Sequence, residues 1–171
     1  MKYLLITAIS VLISLSGYSQ TKKLPSVDVK TAQGETIDIS QIDNEGNPII
    51  ISLWATWCKP CINELNTISE VYPDWQEETG VKLVAISVDD SRSNHKVMPM
   101  VNSNYWDYDI YMDPNQNLKR ALNVNMIPQT FLLNGDKEIV WQHTSFSEGS
   151  ELELIELVRK VKAGEDISNE E

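Results

Sequence analysis

The stretch from Ile49 to Val88 does more than any other to limit what this chain can fold into. Ile49-Ile50-Ile51-Ser52-Leu53 is a β-branched apolar run of buried-strand length, and Val81-Lys82-Leu83-Val84-Ala85-Ile86-Ser87-Val88 reads as a second central strand. Between them a helical stretch starts near Cys58, carries Ile62, Leu65, Ile68 and Val71 at helical spacing, and closes at Gly80. Pro73 lies inside that stretch and is expected to kink it or split it in two. A strand, a helix and a strand in this order predict a parallel pair.

The flanking segments add antiparallel pairs. Val27-Asp28-Val29 and Thr36-Ile37-Asp38-Ile39 flank Gln33-Gly34 as an N-terminal β-hairpin. After Val88 come a weak helix around Asn94 to Val101, a strand from Asp109 to Met112, and a short helix opened by Asp113-Pro114 that runs through Leu118 and Leu122. Thr130-Phe131-Leu132-Leu133 and Glu138-Ile139-Val140-Trp141 pair across Asn134-Gly135-Asp136. Ser150 to Glu153 form a capping box before an amphipathic helix bearing Leu152, Ile155, Val158 and Val161. Gly164 ends that helix, and residues 165–171 read as an acidic, flexible tail. The predicted class is α/β, a mixed central sheet flanked by helices, in one domain over residues 20–164.

The 171 residues suffice to bury a core without disulfide staples. The chain holds 14 Lys and Arg against 25 Asp and Glu, a net charge of −11. Nucleic acid and anionic membrane surfaces are therefore poor partners, since both require clustered cations. At the N-terminus, Lys2 precedes an apolar run from Tyr3 to Leu15, shorter than the ~20 residues a spanning helix needs. Gly17 and Ser19 have the small-residue spacing of a cleavage site, so residues 1–19 read as a signal peptide cut at Ser19-Gln20, with an uncleaved anchor as the other reading. Export places the mature chain in the periplasm or an equivalent extracytoplasmic space, where two thiols can cycle.

Both cysteines sit in Trp57-Cys58-Lys59-Pro60-Cys61, where the first apolar strand hands over to the helix. A cysteine at a helix N-terminus faces unpaired N–H groups and the positive end of the macrodipole, which favour thiolate by up to ~2 kcal/mol. Cys61, one turn further in, is expected to be more buried and less nucleophilic. The geometry gives one attacking and one resolving sulfur, with Pro60 stiffening the turn between them. A structural bridge closing so short a loop would restrict little unfolded-state entropy. His95 and His143 stand alone on what read as surface positions, and there is no second CxxC, so neither a metal nor another cofactor is expected.

The run from Ile51 to Leu65, with Trp57-Cys58-Lys59-Pro60-Cys61 at its centre, resembles the active-site segment of the thioredoxin superfamily. Within that superfamily it is most similar to the exported TlpA/ResA-like thiol–disulfide oxidoreductases. Val124-Asn125-Met126-Ile127-Pro128-Gln129-Thr130-Phe131-Leu132-Leu133 resembles the segment that bears the superfamily's cis-proline. The resemblance runs from about Leu24 to Val161 and implies a thioredoxin-like three-layer sandwich. It implies Cys58 as nucleophile, Cys61 as resolving thiol and Pro128 as the cis-proline beside them, with the backbone of Ile127 pairing an extended substrate. Glu64, at the offset where ResA-like proteins carry a glutamate, would manage protons for Cys61 from a partly buried position with a raised pKa.

Ser52 stands where cytosolic thioredoxins carry an aspartate, which moves the proton role toward Glu64. Trp57, Lys59 and Pro60 are candidate substrate contacts. Trp54 is expected in the core, and Tyr105-Trp106-Asp107-Tyr108 forms either a partner patch or a packed loop. The implied partners are a protein or peptide disulfide and a membrane-linked electron donor, for a monomeric enzyme that reduces protein disulfides in the setting of cytochrome c maturation. Two other functions compete. A peroxiredoxin-like thiol peroxidase would need a hydroxyl three residues before its cysteine, where Ala55 stands, and a thioredoxin-like binding module would need no cysteine chemistry.

Overall fold

The expected parallel pair lies at the centre of one mixed sheet in the computed structural model, which describes residues 22–167. The signal-peptide reading over 1–19 and the end of the acidic segment, 168–171, lie outside the described residues. The elements are β1 (Lys22–Lys23), β2 (Asp28–Thr31), β3 (Thr36–Asp38), β4 (Ile49–Trp54), α1 (Lys59–Thr79), β5 (Lys82–Ser87), α2 (Val97–Ser103), β6 (Asp109–Met112), α3 (Asn117–Ala121), β7 (Gln129–Leu133), β8 (Glu138–Thr144) and α4 (Ser150–Lys162). The sheet order is β1-β8-β7-β4-β5-β6-β2-β3. β4, β5 and β6 run parallel, and the pairs on either side are antiparallel. β4 is buried along its whole length, which its unbroken apolar run requires of a strand covered on both faces.

α1 is one continuous helix, so Pro73 does not split it. Its buried side chains are Cys61, Glu64, Leu65, Ile68, Tyr72, Trp75 and Thr79. Ile62 and Val71, expected on the apolar stripe, are only half-buried, because the stripe is turned toward Cys61 and Tyr72. Gly80 ends the helix at φ 71°, a left-handed conformation that costs glycine least, and its N–H reaches Gln76 O. Gly135, in the β7–β8 turn, is required for a different reason: a Cβ there would lie 2.3 Å from Gly46 O.

Helix α4 differs from its sequence reading. Its N-cap is Gly149 at φ 95°, and Ser150 lies inside the helix with its hydroxyl donating to Ser147 O, so no capping box forms. Leu152 is 66% exposed, while Leu154, Ile155, Leu157 and Val158 are buried. α4 packs against α1, and Arg159 clamps Glu78 of α1 at 2.6 Å through two nitrogens. Beyond Gly164, Ile167 is 3% exposed and joins the core, so the segment read as a free tail returns to the body at least that far.

The aromatic segment after α2 is a packed loop. Trp106 meets Trp54 edge-on at 5.1 Å and donates Nε1–H to Asn66 Oδ1, and Tyr108 donates to Leu65 O. Of the three aromatics only Tyr105 points out, 90% exposed. The face that α4 presents to the core yields a test. Leu157→Ala should cost about 2–5 kcal/mol in guanidinium unfolding of the oxidised protein. Leu152→Ala should stay within about 0.5 kcal/mol of the parent.

Candidate redox site

β4 leaves the sheet at Trp54, and four residues later Cys58 caps α1. The turn between them is held from the neighbouring strand. Asp89, fully buried just past β5, accepts from the backbone N–H and the hydroxyl of Thr56, both at 2.7 Å, and from Ser87 Oγ at 2.9 Å. Cys58 N–H closes the turn onto Ala55 O. Cys58 takes the N-cap position with extended backbone, and its Sγ accepts from Cys61 N–H at 3.3 Å. One of the helix's orphan donors is thus aimed at sulfur, and the macrodipole favours negative charge on it. Pro60 in the first turn gives up an N–H that had no partner to lose.

Cys58 and Cys61 form a disulfide with Cα atoms 5.3 Å apart. Cys61 is fully buried and Cys58 5% exposed, in the order expected of a resolving and an attacking sulfur. The Ile127–Pro128 bond is cis, and Ile127 O lies 3.8 Å from Cys58 Sγ. β7 pairs with β4 so that Leu53 faces Gln129, which brings the chain entering β7 to the end of β4 where Cys58 follows. Trp57 and Met126, 66% and 63% exposed, stand next in sequence to Cys58 and Ile127. Lys59 and Pro60 are exposed. Trp57 lines one groove with Asp90, Arg92 and Lys96, and Pro60 lines another with Asn66 and Phe146.

Glu64 is buried one turn below Cys61. Its two carboxylate oxygens accept from Ser52 Oγ at 2.9 Å and Thr130 Oγ1 at 2.8 Å. Burial raises its pKa to about 7, against the two hydroxyl donors, which favour the ionised form. Ser52, the position that separates this chain from cytosolic thioredoxins, is therefore a direct partner of Glu64. Thr130 carried no role in the sequence reading, although it follows Pro128 by two residues. Asp89 was legible only as a polar residue ending an apolar strand. Met126 carried no signal, because exposure of a lone methionine depends on the fold. Among the described residues no cluster of three or more metal-ligating side chains occurs.

The chain is 28% identical over 121 residues to the thiol-disulfide oxidoreductase ResA of Bacillus thuringiensis, an alignment covering 71% of this chain and 67% of the relative. It is 33% identical over 112 residues to the sporulation thiol-disulfide oxidoreductase A of Bacillus subtilis, covering 65% and 66%. The chain thus spans about two thirds of the length of these relatives. The solution structure of a thioredoxin-like protein from Porphyromonas gingivalis is 45% identical and superposes with a TM-score of 0.74 over 84% of this chain and 94% of that one. The expected thioredoxin-like fold and the enzyme class, a thiol–disulfide oxidoreductase, are borne out. With the AhpC/TSA family model matching residues 21–142, the chain belongs to the AhpC/TSA family of thioredoxin-like proteins.

Proposed function

We propose that the protein is an exported reductase of protein disulfides that works by dithiol exchange between Cys58 and Cys61. The observation that carries this reading is a disulfide whose outer sulfur caps a helix beside the Ile127 carbonyl of the cis Ile127–Pro128 bond, with a buried carboxyl one turn below its inner sulfur. In the reduced enzyme the Cys58 thiolate attacks a substrate disulfide. A Cys58–substrate bond forms, and the departing substrate sulfur leaves as a thiolate that takes a proton from solvent. Cys61 then gives its proton to the Glu64 carboxylate and attacks Cys58 Sγ. The Cys58–Cys61 bond forms, the substrate's second thiolate is released, and two electrons have passed to the substrate. An extended substrate pairs with the Ile127 backbone between Trp57 and Met126, with Lys59 and Pro60 at the rim.

The signal-type N-terminus supports export, and the resemblance to ResA-like proteins supports cytochrome c maturation as the setting, a membrane-linked electron donor restoring the dithiol and a monomeric enzyme. The domain reading is a signal peptide over 1–19 and a single domain over 20–164.

Cys58→Ser should abolish disulfide reduction, and Cys61→Ser should accumulate mixed disulfides that mass spectrometry of trapped adducts identifies. Faster oxidation of the reduced protein by hydrogen peroxide than by a peptide disulfide would replace this reading with a thiol peroxidase. A reduction potential near the ~−120 mV of strong oxidants such as DsbA would reverse the direction. Retention of function by Cys58→Ser would leave a binding module.

Glu64 makes stability depend on pH. Its carboxyl ionises near 4.5 when unfolded and about 7 when folded, so between these values the folded state holds more protons. Its contribution is full below 4.5, declines as pH rises to 7, and is level above that. The decline amounts to about 3 kcal/mol, since one pKa unit is ~1.4 kcal/mol. Urea unfolding of Glu64→Gln across pH 4–8 should lack this slope. The same variant should slow the resolving step by about tenfold or more, while leaving the attack by Cys58 nearly unchanged.

A further inference from the structure

A buried acid that accepts a proton in each turnover must also return it to water, and the site around the disulfide does not show how. A cavity on another side of Glu64 does. It offers about 20 Å³ to the centre of a water molecule, and Glu64, Thr130, Trp141, His143, Phe146 and Glu151 are among the residues around it. One water needs roughly 10–15 Å³ of such space and two to four polar partners. None of Trp57, Cys58, Cys61 and Pro128 lines this cavity.

The sheet register explains why these side chains meet. Ser52 of β4 pairs with Thr130 of β7, and Thr130 pairs with His143 of β8. Residues directly opposite one another share a face, so the row continues from the two hydroxyls that hold Glu64 to an imidazole one strand, ~4.8 Å, further out. His143 is exposed. Its ring stacks on Trp141 at 5.7 Å, 9° from parallel, which keeps it at the cavity mouth. Trp141 lines the cavity as well, and its Nε1–H is buried with no acceptor among the described residues.

We propose that this cavity holds one water that passes the proton of Glu64 to solvent by way of His143, a route that a substrate bound over the disulfide leaves open. The Glu64 hydroxyl donates to the water, the water donates to His143, and the imidazolium releases the proton outside, leaving Glu64 ionised for the next transfer from Cys61. A folded-state pKa of about 7 lets the carboxyl load and unload near neutrality. Besides Glu64, the titratable groups lining the route are His143 from β8 and Glu151 from α4, and Tyr108 interacts with Glu64 from the loop before β6. Glu151 is engaged by the Gly149 N–H, while Ser52 and Thr130 are neutral donors. His143 is thus a positioning residue for proton exchange.

The role assigned to Glu64 in Cys61 chemistry rests on the oxidoreductase reading, but the test does not. After a pH jump across neutrality, the infrared C=O band of the protonated Glu64 carboxyl, identified by its loss in Glu64→Gln, is followed in the oxidised protein. His143→Ala should slow its relaxation at least tenfold in dilute phosphate, and added imidazole should restore it. Equal relaxation in the parent and His143→Ala overturns the route, and so does a slowing that imidazole fails to relieve. His143→Phe, which keeps the stacking on Trp141, should be as slow as His143→Ala; a normal rate in that variant assigns the effect to packing and overturns the route as well. Failure of the parent protein to exchange disulfides would refute the oxidoreductase reading alone.

Discussion

The antiparallel register between β4 and β7 is the constraint on which the rest depends. Ser52 faces Thr130 and Leu53 faces Gln129, so one pairing fixes two things at once. It aims two hydroxyls at the carboxyl of Glu64, and it brings Ile127–Pro128 to the end of β4 from which the chain turns into Cys58. A slip of one residue would carry Thr130 to the opposite face and remove a donor from a buried acid. It would also move the Ile127 carbonyl away from the outer sulfur. The same register extends to β8, where it sets His143 in line with Thr130.

Around that register the molecule places polar groups in the core where the chemistry needs them and satisfies most of them. Asp89 receives three donors and holds the turn before Cys58, while Glu64 receives two and keeps a pKa near neutrality. Unpaired, such groups would cost several kcal/mol each, and their pairing locks the geometry of the turn and the helix start. The helix itself contributes the electrostatics at sulfur, because Cys58 rather than an oxygen-bearing side chain takes the N-cap.

Much of the architecture was legible along the chain because its periodicities are strong. The apolar runs of β4 and β5, the β2–β3 and β7–β8 hairpins and the start of α1 all lie where local pattern puts them. The failures have local causes. Pro73 suggested a broken helix, yet α1 runs through it, since packing of Ile68, Tyr72 and Trp75 on the sheet outweighs one missing hydrogen bond. Ser150 and Glu153 matched a capping pattern, but Gly149 takes the N-cap of α4 in a left-handed conformation, and Leu152 faces solvent while Leu157 is in the core. Ile167 was hidden among acidic residues.

The sequence by itself determined the pair of sulfurs, their place at a helix start, the proline beside them and the acid three residues on, because each is encoded within a few neighbouring positions. Tertiary structure alone decided that Ser52 and Thr130 would converge on Glu64, that Asp89 would hold the turn, and that His143 would stand at the mouth of a water-sized cavity. These groups come from strands far apart in the chain. Their meeting depends on sheet order and register, which follow from the burial of the whole apolar surface and not from any one segment.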